Sequence, residues 1–229
     1  MAIAIASNSS VQSKSASGAT TLTLSYDAGS ASNRYLAVPV TDLSGDSVTG
    51  VTYAGVAMTQ LCKVSRGPNN IGSLQTYWYG IHAPTTGTND IVVTRTGTAA
   101  WIEVGAILLT DAQQTTPASV TVVKQGDTVG GSKSQAITTT VDNSAILGFV
   151  VNDNGSLAAS TGITQLFIGA AAGFGNGLMA VKSSTFPYTP AGALTANWTQ
   201  NATGDWSVML ISIAPAPAAT ANSNFFAFM

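Results

Sequence analysis

Few side chains in this sequence could perform chemistry. His82, in the segment GIHAP, is the single histidine, and Glu103 is the single glutamate among ten acidic residues. A zinc site with two histidine ligands is therefore excluded, and no G-x-S-x-G turn is present to activate a serine. Paired-carboxylate hydrolysis would need Glu103 or two aspartates at a spacing that only folding decides. We therefore predict that the protein is not an enzyme and has no catalytic residue.

Two acidic turns carry the oxygen ligands that calcium prefers. DLSGD places Asp42 and Asp46 around one turn, and VNDNGS places Asp153 between Asn152 and Asn154. Neither segment follows the EF-hand spacing, and Asp and Asn are common in turns because they bond their own backbone. The segment GAAAGFGNG is rich in glycine but lacks the Lys and Ser/Thr of a phosphate-binding loop. We expect ordinary turns here, with no metal and no cofactor.

The composition narrows the range of partners. Charged residues make up 8% of the 229 residues, and the net charge is -2. Such a chain has no basic stripe for phosphates, so we expect no nucleic-acid binding. No window approaches the roughly 18 apolar residues of a membrane span, so we expect no membrane contact. The segment MAIAIASNSS has only a short apolar stretch with no Lys or Arg before it, so we expect no signal peptide. Cys62 is the single cysteine, which excludes an internal disulfide and predicts a packed thiol.

Alternating apolar residues predict strands along almost the whole chain. Leu22 and Leu24 alternate in TLTLSY, and Leu36 and Val38 alternate in RYLAVPV. Turn clusters such as DLSGD, SRGPNN and PTTGTND separate these runs at regular intervals. This pattern is typical of all-β sandwiches and jelly rolls. We predict an all-β fold over residues 1–214, a two-sheet antiparallel β-sandwich that is jelly-roll-like and includes an N-terminal strand.

An internal echo divides the chain into two related halves. NRYLAVPVTD is answered by NSAILGFVVND, TGTNDIVVTRTG by AGALTANWTQN, and WIEVGAILLTDA by WSVMLISIAPA. Matched residues in these segments are 110, 105 and 105 positions apart, in the same order along the chain. The pairs are Asn33 with Asn143, Gly87 with Gly192, and Trp101 with Trp206. We predict two related four-strand units that pack face to face.

Several of these segments together resemble a known family. NRYLAV, VTGVTYAGVAMTQL, YWYGIHAPTTGTNDIVVTRTG and LTANWT are similar to a β-sandwich domain of tailed-bacteriophage structural proteins and some bacterial surface proteins. The similarity runs from Asn33 to Ala214, and Ala54 stands where the family pattern has the first of two glycines. The resemblance implies a fold and a structural role, and it carries no catalytic residue.

The aromatic strand LQTYWYGI has two different faces. Leu74, Thr76 and Trp78 point to one side, whereas Tyr77 and Tyr79 point to the other. We expect the Leu-Trp face to lie in the core and the two tyrosines to be a surface contact. Aligned exposed tyrosines can stack on a sugar ring or form the centre of a subunit contact. Subunit contact or ordinary sheet packing is favoured over glycan binding, because no further aromatic spacing defines a saccharide site.

The chain ends in an apolar segment, NSNFFAFM, that follows the linker APAPAAT. Burying three Phe and one Met yields about 6–12 kcal/mol, whereas fixing some eight residues costs about 8–16 kcal/mol in backbone entropy. Strand addition to a neighbour, or many copies on a lattice, would make docking favourable. We predict that residues 215–229 form a Pro/Ala linker and an extended hydrophobic C-terminal arm. Its partner-docking residues are Phe225, Phe226, Phe228 and Met229.

These features together favour a non-enzymatic virion structural protein of a tailed bacteriophage. Within that class we favour a capsid decoration or cement protein, made in the host cytoplasm and located in the virion. Its expected partners are the major capsid protein or neighbouring copies, and a homo-oligomer, with a trimer as the attractive state, fits local symmetry axes. The alternative is a glycan- or host-receptor-binding module of a tail fibre or tail tip. That module would use Tyr77, Tyr79 and the loops near His82 and SRGPNN.

Overall fold

The structure is a computed structural model. It describes residues 2–6, 14–16, 18–42, 47–65, 75–98, 102–115, 120–128, 130–152, 155–170 and 177–218. Over these residues the secondary structure consists of nineteen β-strands without a helix, and the strands pair antiparallel. The predicted all-β class and the antiparallel β-sandwich are therefore confirmed. None of the described residues forms an apolar helix that is long enough to span a membrane.

The first half of the chain builds two sheets that we call the first sandwich. Its inner sheet contains β1 (Ala4–Ile5), β2 (Lys14–Ala16), β4 (Tyr35–Asp42), β7 (Thr59–Ser65), β8 (Gln75–His82), β10 (Ile102–Val104) and β11 (Ile107–Thr110). Its outer sheet contains β3 (Thr21–Asp27), β5 (Val48–Tyr53), β6 (Val56–Ala57) and β9 (Thr88–Arg95). In the inner sheet β4 is central, with β10 and β11 on one side and β8 on the other.

The second half repeats this plan in a second sandwich. Its inner sheet has the order β12 (Val120–Thr128), β19 (Gly204–Ile213), β14 (Ala145–Asn152), β17 (Gly177–Ser183) and β16 (Ile163–Ala170). Its outer sheet has the order β13 (Gly131–Thr138), β18 (Ala193–Gln200) and β15 (Leu157–Ala159). Each half thus supplies one larger inner sheet and one smaller outer sheet.

Equivalent strands of the two halves match residue by residue. β4 and β14 each have eight residues and are buried throughout, and β9 and β18 share one alternating burial pattern. Asn33 and Asn143, which precede β4 and β14, both adopt the left-handed backbone conformation, with φ of 49° and 59°. Asn tolerates this conformation better than most residues, so the shared Asn reflects a shared turn. The internal echo in the sequence therefore corresponds to two halves with one strand plan. The predicted four-strand units are wrong, because the halves contain β1–β11 and β12–β19 and each half forms two sheets.

Three apolar cores separate four sheet layers. The first core lies within the first sandwich and includes Leu22, Leu24 and Val38, and the third lies within the second sandwich and includes Trp198 and Val208. The second core joins the two inner sheets, and its members from each side are Trp78, Ile107 and Leu109 against Phe149, Met209 and Ile211. The order of layers is outer, inner, inner, outer. The structure thus contains more layers than the two expected, because each related half forms its own pair of sheets.

The hairpin between β5 and β6 turns at Ala54 and Gly55. Ala54 and Gly55 form its two-residue turn, and both have positive φ, 51° and 77°. Two-residue hairpin turns with positive φ at both positions favour glycine. Ala54 therefore occupies a turn position that favours glycine, at the cost of a strained backbone.

Candidate functional site

The two tyrosines expected on the surface are buried, which corrects the prediction. Tyr77 is 0% and Tyr79 is 4% exposed, and both belong to the first core. Their rings lie 6.2 Å apart, and the Tyr79 hydroxyl donates to Gln60 Oε1 at 3.2 Å. The predicted alternation of faces is correct, but neither face of β8 meets solvent. A surface contact or a stacked sugar at these tyrosines is excluded by their burial.

The opposite face of β8 is covered by the second sandwich. Trp78 is fully buried and meets Phe149 edge to face, with ring centroids 6.0 Å apart. The Thr76 hydroxyl lies 3.4 Å from the Ser207 hydroxyl across the same junction. A sheet in the middle of a stack has two buried faces, so its strands carry large apolar side chains on both. This is the physical reason that both tyrosines lie inside.

His82 serves as a structural residue at the end of β8. Its Nδ1 is 3.0 Å from the carbonyl oxygen of Gln113, and its ring meets Tyr35 edge to face at 4.8 Å. Burial lowers the pKa of His82 from its ordinary value of 6.5, against a smaller opposing effect of the Gln113 carbonyl. The neutral imidazole thus links β8 to the segment that follows β11. Tyr35, against which the ring packs, is itself titratable, and burial raises its pKa.

Glu103 lies in the junction between the two sandwiches. It is 3% exposed on β10, between Ile102 and Val104, which both face the first core. Its carboxyl group therefore points to the other side of the sheet, where a Cβ added to Gly169 of β16 would overlap it. Glycine at this position lets the second sandwich approach the buried carboxyl group. Glu103 is thus a buried packing residue of the junction.

A saturated ion pair closes one end of the first sandwich. Arg95 Nε and NH2 each donate to one Asp42 carboxylate oxygen at 3.0 Å, and both side chains are fully buried. Ser47 hydrogen-bonds the same carboxylate and accepts from Arg95 at 2.6 Å. Arg95 NH1 donates to the carbonyl of Gly97 at 3.2 Å. This bidentate arrangement ties the inner sheet to the outer sheet. The Asp42 carboxylate binds the Arg95 guanidinium, and so it is not free to act as a calcium ligand.

The second sandwich has neutral amides in the equivalent places. Asn152 ends β14 as Asp42 ends β4, and Gln200 ends β18 as Arg95 ends β9. Both amides are buried, and Gln200 Nε2 donates to the carbonyl of Gly204 at 3.2 Å. The equivalent strand ends are therefore polar and buried in both halves, and they are charged only in the first. Sequence alone did not reveal the ion pair between Asp42 and Arg95, because the two residues are 53 positions apart.

Cys62 is a packed thiol, as the sequence predicted. Its Sγ lies 3.6 Å from Sδ of Met209 across the junction. Burial raises the thiol pKa to about 12. A thiol with so high a pKa is almost wholly protonated at neutral pH and is a poor nucleophile.

The first sandwich has an open groove of about 470 Å³ at one end. Ile5, Ala6, Leu108 and Thr110 line one side, and the turn Ala28–Ala31 lines the other. The lining carries no charged side chain. Its volume lies within the range of about 300–1,000 Å³ that is typical of ligand pockets.

The turn Ala28–Ala31 is held rigidly. Arg34 NH1 donates to the carbonyls of Ala28 and Gly29, both at 3.0 Å. Gly29 N donates to Asp27 Oδ1 at 2.8 Å, and Ala28 N donates to the carbonyl of Gly87 at 3.0 Å. The wall of the groove is therefore preorganised, and an occupant would not need to order it.

The second sandwich has a groove at the matching place, of about 370 Å³. Gln113, Val141 and Asn143 line it, together with residues 214–218 of the chain. Pro215 pairs with Ala112, and Ala216 N donates to the carbonyl of Asp111 at 2.6 Å. The first residues of the predicted Pro/Ala linker are thus packed against the first sandwich and line the second groove.

Several predicted residues lie outside the described part of the chain. These are the docking residues Phe225, Phe226, Phe228 and Met229, and also Asp46, Asp153, Asn154, Leu74 and Trp101. The extended arm and its docking therefore stay predictions. Within the described ranges, no group of three or more His, Cys, Asp or Glu side chains is placed to hold a metal ion.

Comparisons with protein-family models, with curated proteins and with solved structures give no match to this chain. The resemblance to phage structural proteins therefore stays a prediction from the sequence segments alone.

Proposed function

We propose that this chain is a non-enzymatic structural protein of a tailed-bacteriophage virion, and within that class a capsid decoration or cement protein. Its partners are the major capsid protein or neighbouring copies of the chain. With such copies it forms a homo-oligomer. This proposal rests on the resemblance of the sequence segments and on the structural use of the side chains that could have performed chemistry.

The observation that carries the proposal is that these side chains are committed to packing. Arg95 and Asp42 saturate one another, His82 holds Gln113, and Glu103 is buried in the junction. An enzyme needs such groups beside a cleft that admits substrate. Here they stabilise the contacts between sheets, which suits a rigid building block.

The stacked architecture supports the same role. Two sandwiches joined by an apolar core of aromatic and aliphatic residues form a body whose halves are not separated by a linker. A low charge leaves the surface without a strong field that would oppose close packing of many copies. Burial of Tyr77 and Tyr79 removes two of the features that the glycan-binding alternative used. Its other features are the loops near His82 and SRGPNN, and residues 66–70 of the latter lie outside the described part of the chain.

Immunogold labelling of purified particles tests the proposal. Antibodies against the folded chain should label the heads of the phage that encodes it, at a regular copy number. Labelling of the tail would keep the virion role and overturn the decoration role. Particles that lack the protein, while infected cells contain it, would overturn the virion role itself.

A further inference from the structure

The segment that follows β11, residues 111–114, joins the end of β8 to residues near the C-terminus. The carbonyl oxygen of Gln113 lies 3.0 Å from Nδ1 of His82, and Gln113 N donates to the carbonyl of Ala214 at 2.9 Å. Ala216 N donates to the first carbonyl of the same segment at 2.6 Å. We call residues 111–114 the connecting segment, because it contacts both parts of the chain.

The backbone around the connecting segment is strained. Ala83, which follows β8, and Asp111 have φ of 43° and 55°, in the left-handed region that residues other than glycine rarely adopt. Ala83 N donates to the carbonyl of Arg34 at 2.9 Å and to Oε1 of Gln114 at 3.0 Å. Strained conformations persist only where surrounding contacts hold them. The connecting segment therefore tends to open when one of its contacts is lost.

The His82 ring can hold one proton in this place but not two. Its Nδ1 donates to the Gln113 carbonyl, which fixes the neutral tautomer that has an unprotonated Nε2. This Nε2 atom is buried and has no hydrogen-bond partner among the described residues. A second proton there would be a buried donor without an acceptor, which destabilises the closed arrangement. Burial accordingly lowers the pKa of His82, with the Gln113 carbonyl acting in the opposite direction.

The elements around the ring carry further titratable and charged groups. Tyr35 of β4 packs on the ring edge to face at 4.8 Å, and burial raises its pKa, so its hydroxyl stays protonated at neutral and acidic pH. Arg34, the residue before it, directs NH1 to carbonyls of the turn Ala28–Ala31. Asp111 lies two residues before Gln113 and is the acidic side chain of the connecting segment. A neutral variant of Asp111 therefore belongs among the controls.

We propose that His82 is a pH-sensitive latch for the connecting segment. At neutral pH the closed latch holds this segment, and with it Ala214 and Ala216, against the first sandwich. When Nε2 takes a proton, the ring turns toward solvent and releases the Gln113 carbonyl. The strained segment then opens while the sheets stay folded, so acidification frees residues 214–216 from the first sandwich. This device goes beyond the proposed function and does not depend on it.

Hydrogen exchange of single amides, measured by NMR and corrected for the intrinsic pH dependence of exchange, tests the latch. The reporters are the N–H groups of Gln113 and Ala216, whose bonds join the connecting segment to the C-terminal residues. The open state has a solvated imidazole with the ordinary pKa of 6.5, and the closed state has a lowered pKa. Protonation therefore favours the open state, and opening should increase as the pH falls through 6.5. We expect the opening of both amides to rise at least about fivefold between about pH 7.5 and about pH 5.

Matched variants identify the titrating group. His82→Gln keeps a donor for the Gln113 carbonyl but does not titrate, so it should abolish the pH response. Asp111→Asn tolerates the left-handed backbone and should keep the response. Met58 N, which donates to the carbonyl of Val51 in the first sandwich, reports global opening and should not respond. A response that persists in His82→Gln, that disappears in Asp111→Asn, that is equal at Met58, or that is absent altogether would overturn the proposal.

A further variant tests the support of the strained segment without any titration. Gln114→Ala removes the contacts of the carboxamide with Ala83 N and with the Arg34 carbonyl. We expect faster exchange of the Gln113 and Ala216 amides at neutral pH, because the segment loses part of what holds it closed. Exchange as slow as in the wild type would show that these contacts do not hold the segment, and would overturn the latch. Labelling of virions does not depend on either result.

Discussion

The two sandwiches share one strand plan but use it differently at their ends. The first has a buried ion pair between its two sheets and a groove of about 470 Å³. The second has buried neutral amides at the equivalent strand ends and a groove of about 370 Å³ that residues 214–218 help to line. The two halves share backbone features such as the left-handed conformation of Asn33 and Asn143. They differ in side chains at the ends of equivalent strands. The comparison teaches that one backbone plan accommodates both a buried ion pair and buried neutral amides.

The largest expected effect concerns the core that joins the sandwiches. Trp78→Ala should destabilise the protein by about 3–5 kcal/mol, because a fully buried indole is lost and a cavity stays behind. The loss lies at the junction, so the two sandwiches should then unfold in separate transitions. Trp198→Ala, in the core of the second sandwich, should lower the unfolding free energy by a similar amount. In this variant the first sandwich and the junction should still unfold together in one transition. Calorimetry checks both.

Separate transitions in the wild-type protein would contradict the view that the junction makes the two sandwiches one cooperative unit. The same holds if Trp78→Ala unfolds in a single transition of the same width as the wild type.

The ion pair gives the next largest effect. Arg95→Gln leaves the buried Asp42 without its partner and should cost about 3 kcal/mol in unfolding free energy. Gln200→Ala, at the equivalent position, should cost about 1–2 kcal/mol, because only neutral hydrogen bonds are lost. Denaturant titrations measure both. The difference between the two losses of unfolding free energy reports the effect of the buried charges at these strand ends, which are present in the first sandwich and replaced by amides in the second.

A double variant sharpens this comparison. Asp42→Asn with Arg95→Gln transfers the amides of the second sandwich to the first, and removes the uncompensated charge. We expect the double variant to be more stable than Arg95→Gln alone. If the loss of unfolding free energy in the double variant equals the sum of the losses in the two single variants, Asp42 and Arg95 do not act as a pair.

The smallest effect is the pH dependence of stability at His82. This effect is specific to the first sandwich, because the second contains no histidine. Burial lowers the pKa of His82 in the folded state below 6.5, so the unfolded state binds the proton more readily. Stability should therefore fall as the pH drops below about 6.5 and level off below the folded pKa. The difference in unfolding free energy between wild type and His82→Gln should follow this course. A difference that is constant from neutral pH to about pH 4 would contradict the lowered pKa of this partly buried imidazole.

Period-two patterns predicted most of the strands and the relation between the two halves, but not that each half forms its own pair of sheets. The matches NRYLAVPVTD with NSAILGFVVND and TGTNDIVVTRTG with AGALTANWTQN correspond to equivalent strands, because alternation and turn residues are local properties. Burial of Tyr77 and Tyr79 was beyond such reasoning. Alternation tells which residues share a face of a strand, but another sheet 10 Å away decides whether that face is covered. The pairing of Asp42 with Arg95 and the two grooves likewise depend on contacts between distant segments.

The central claim is that this chain is an assembly component that makes its contact through its last residues. Because residues 214–218 belong to the folded body, the informative truncation ends at Ala218. Labelled full-length and truncated chains can be added to virions that lack the protein, and the bound copies counted. We predict that both chains have the same melting temperature and that the full chain alone binds to a fixed copy number. Equal binding by the truncated chain would contradict the account.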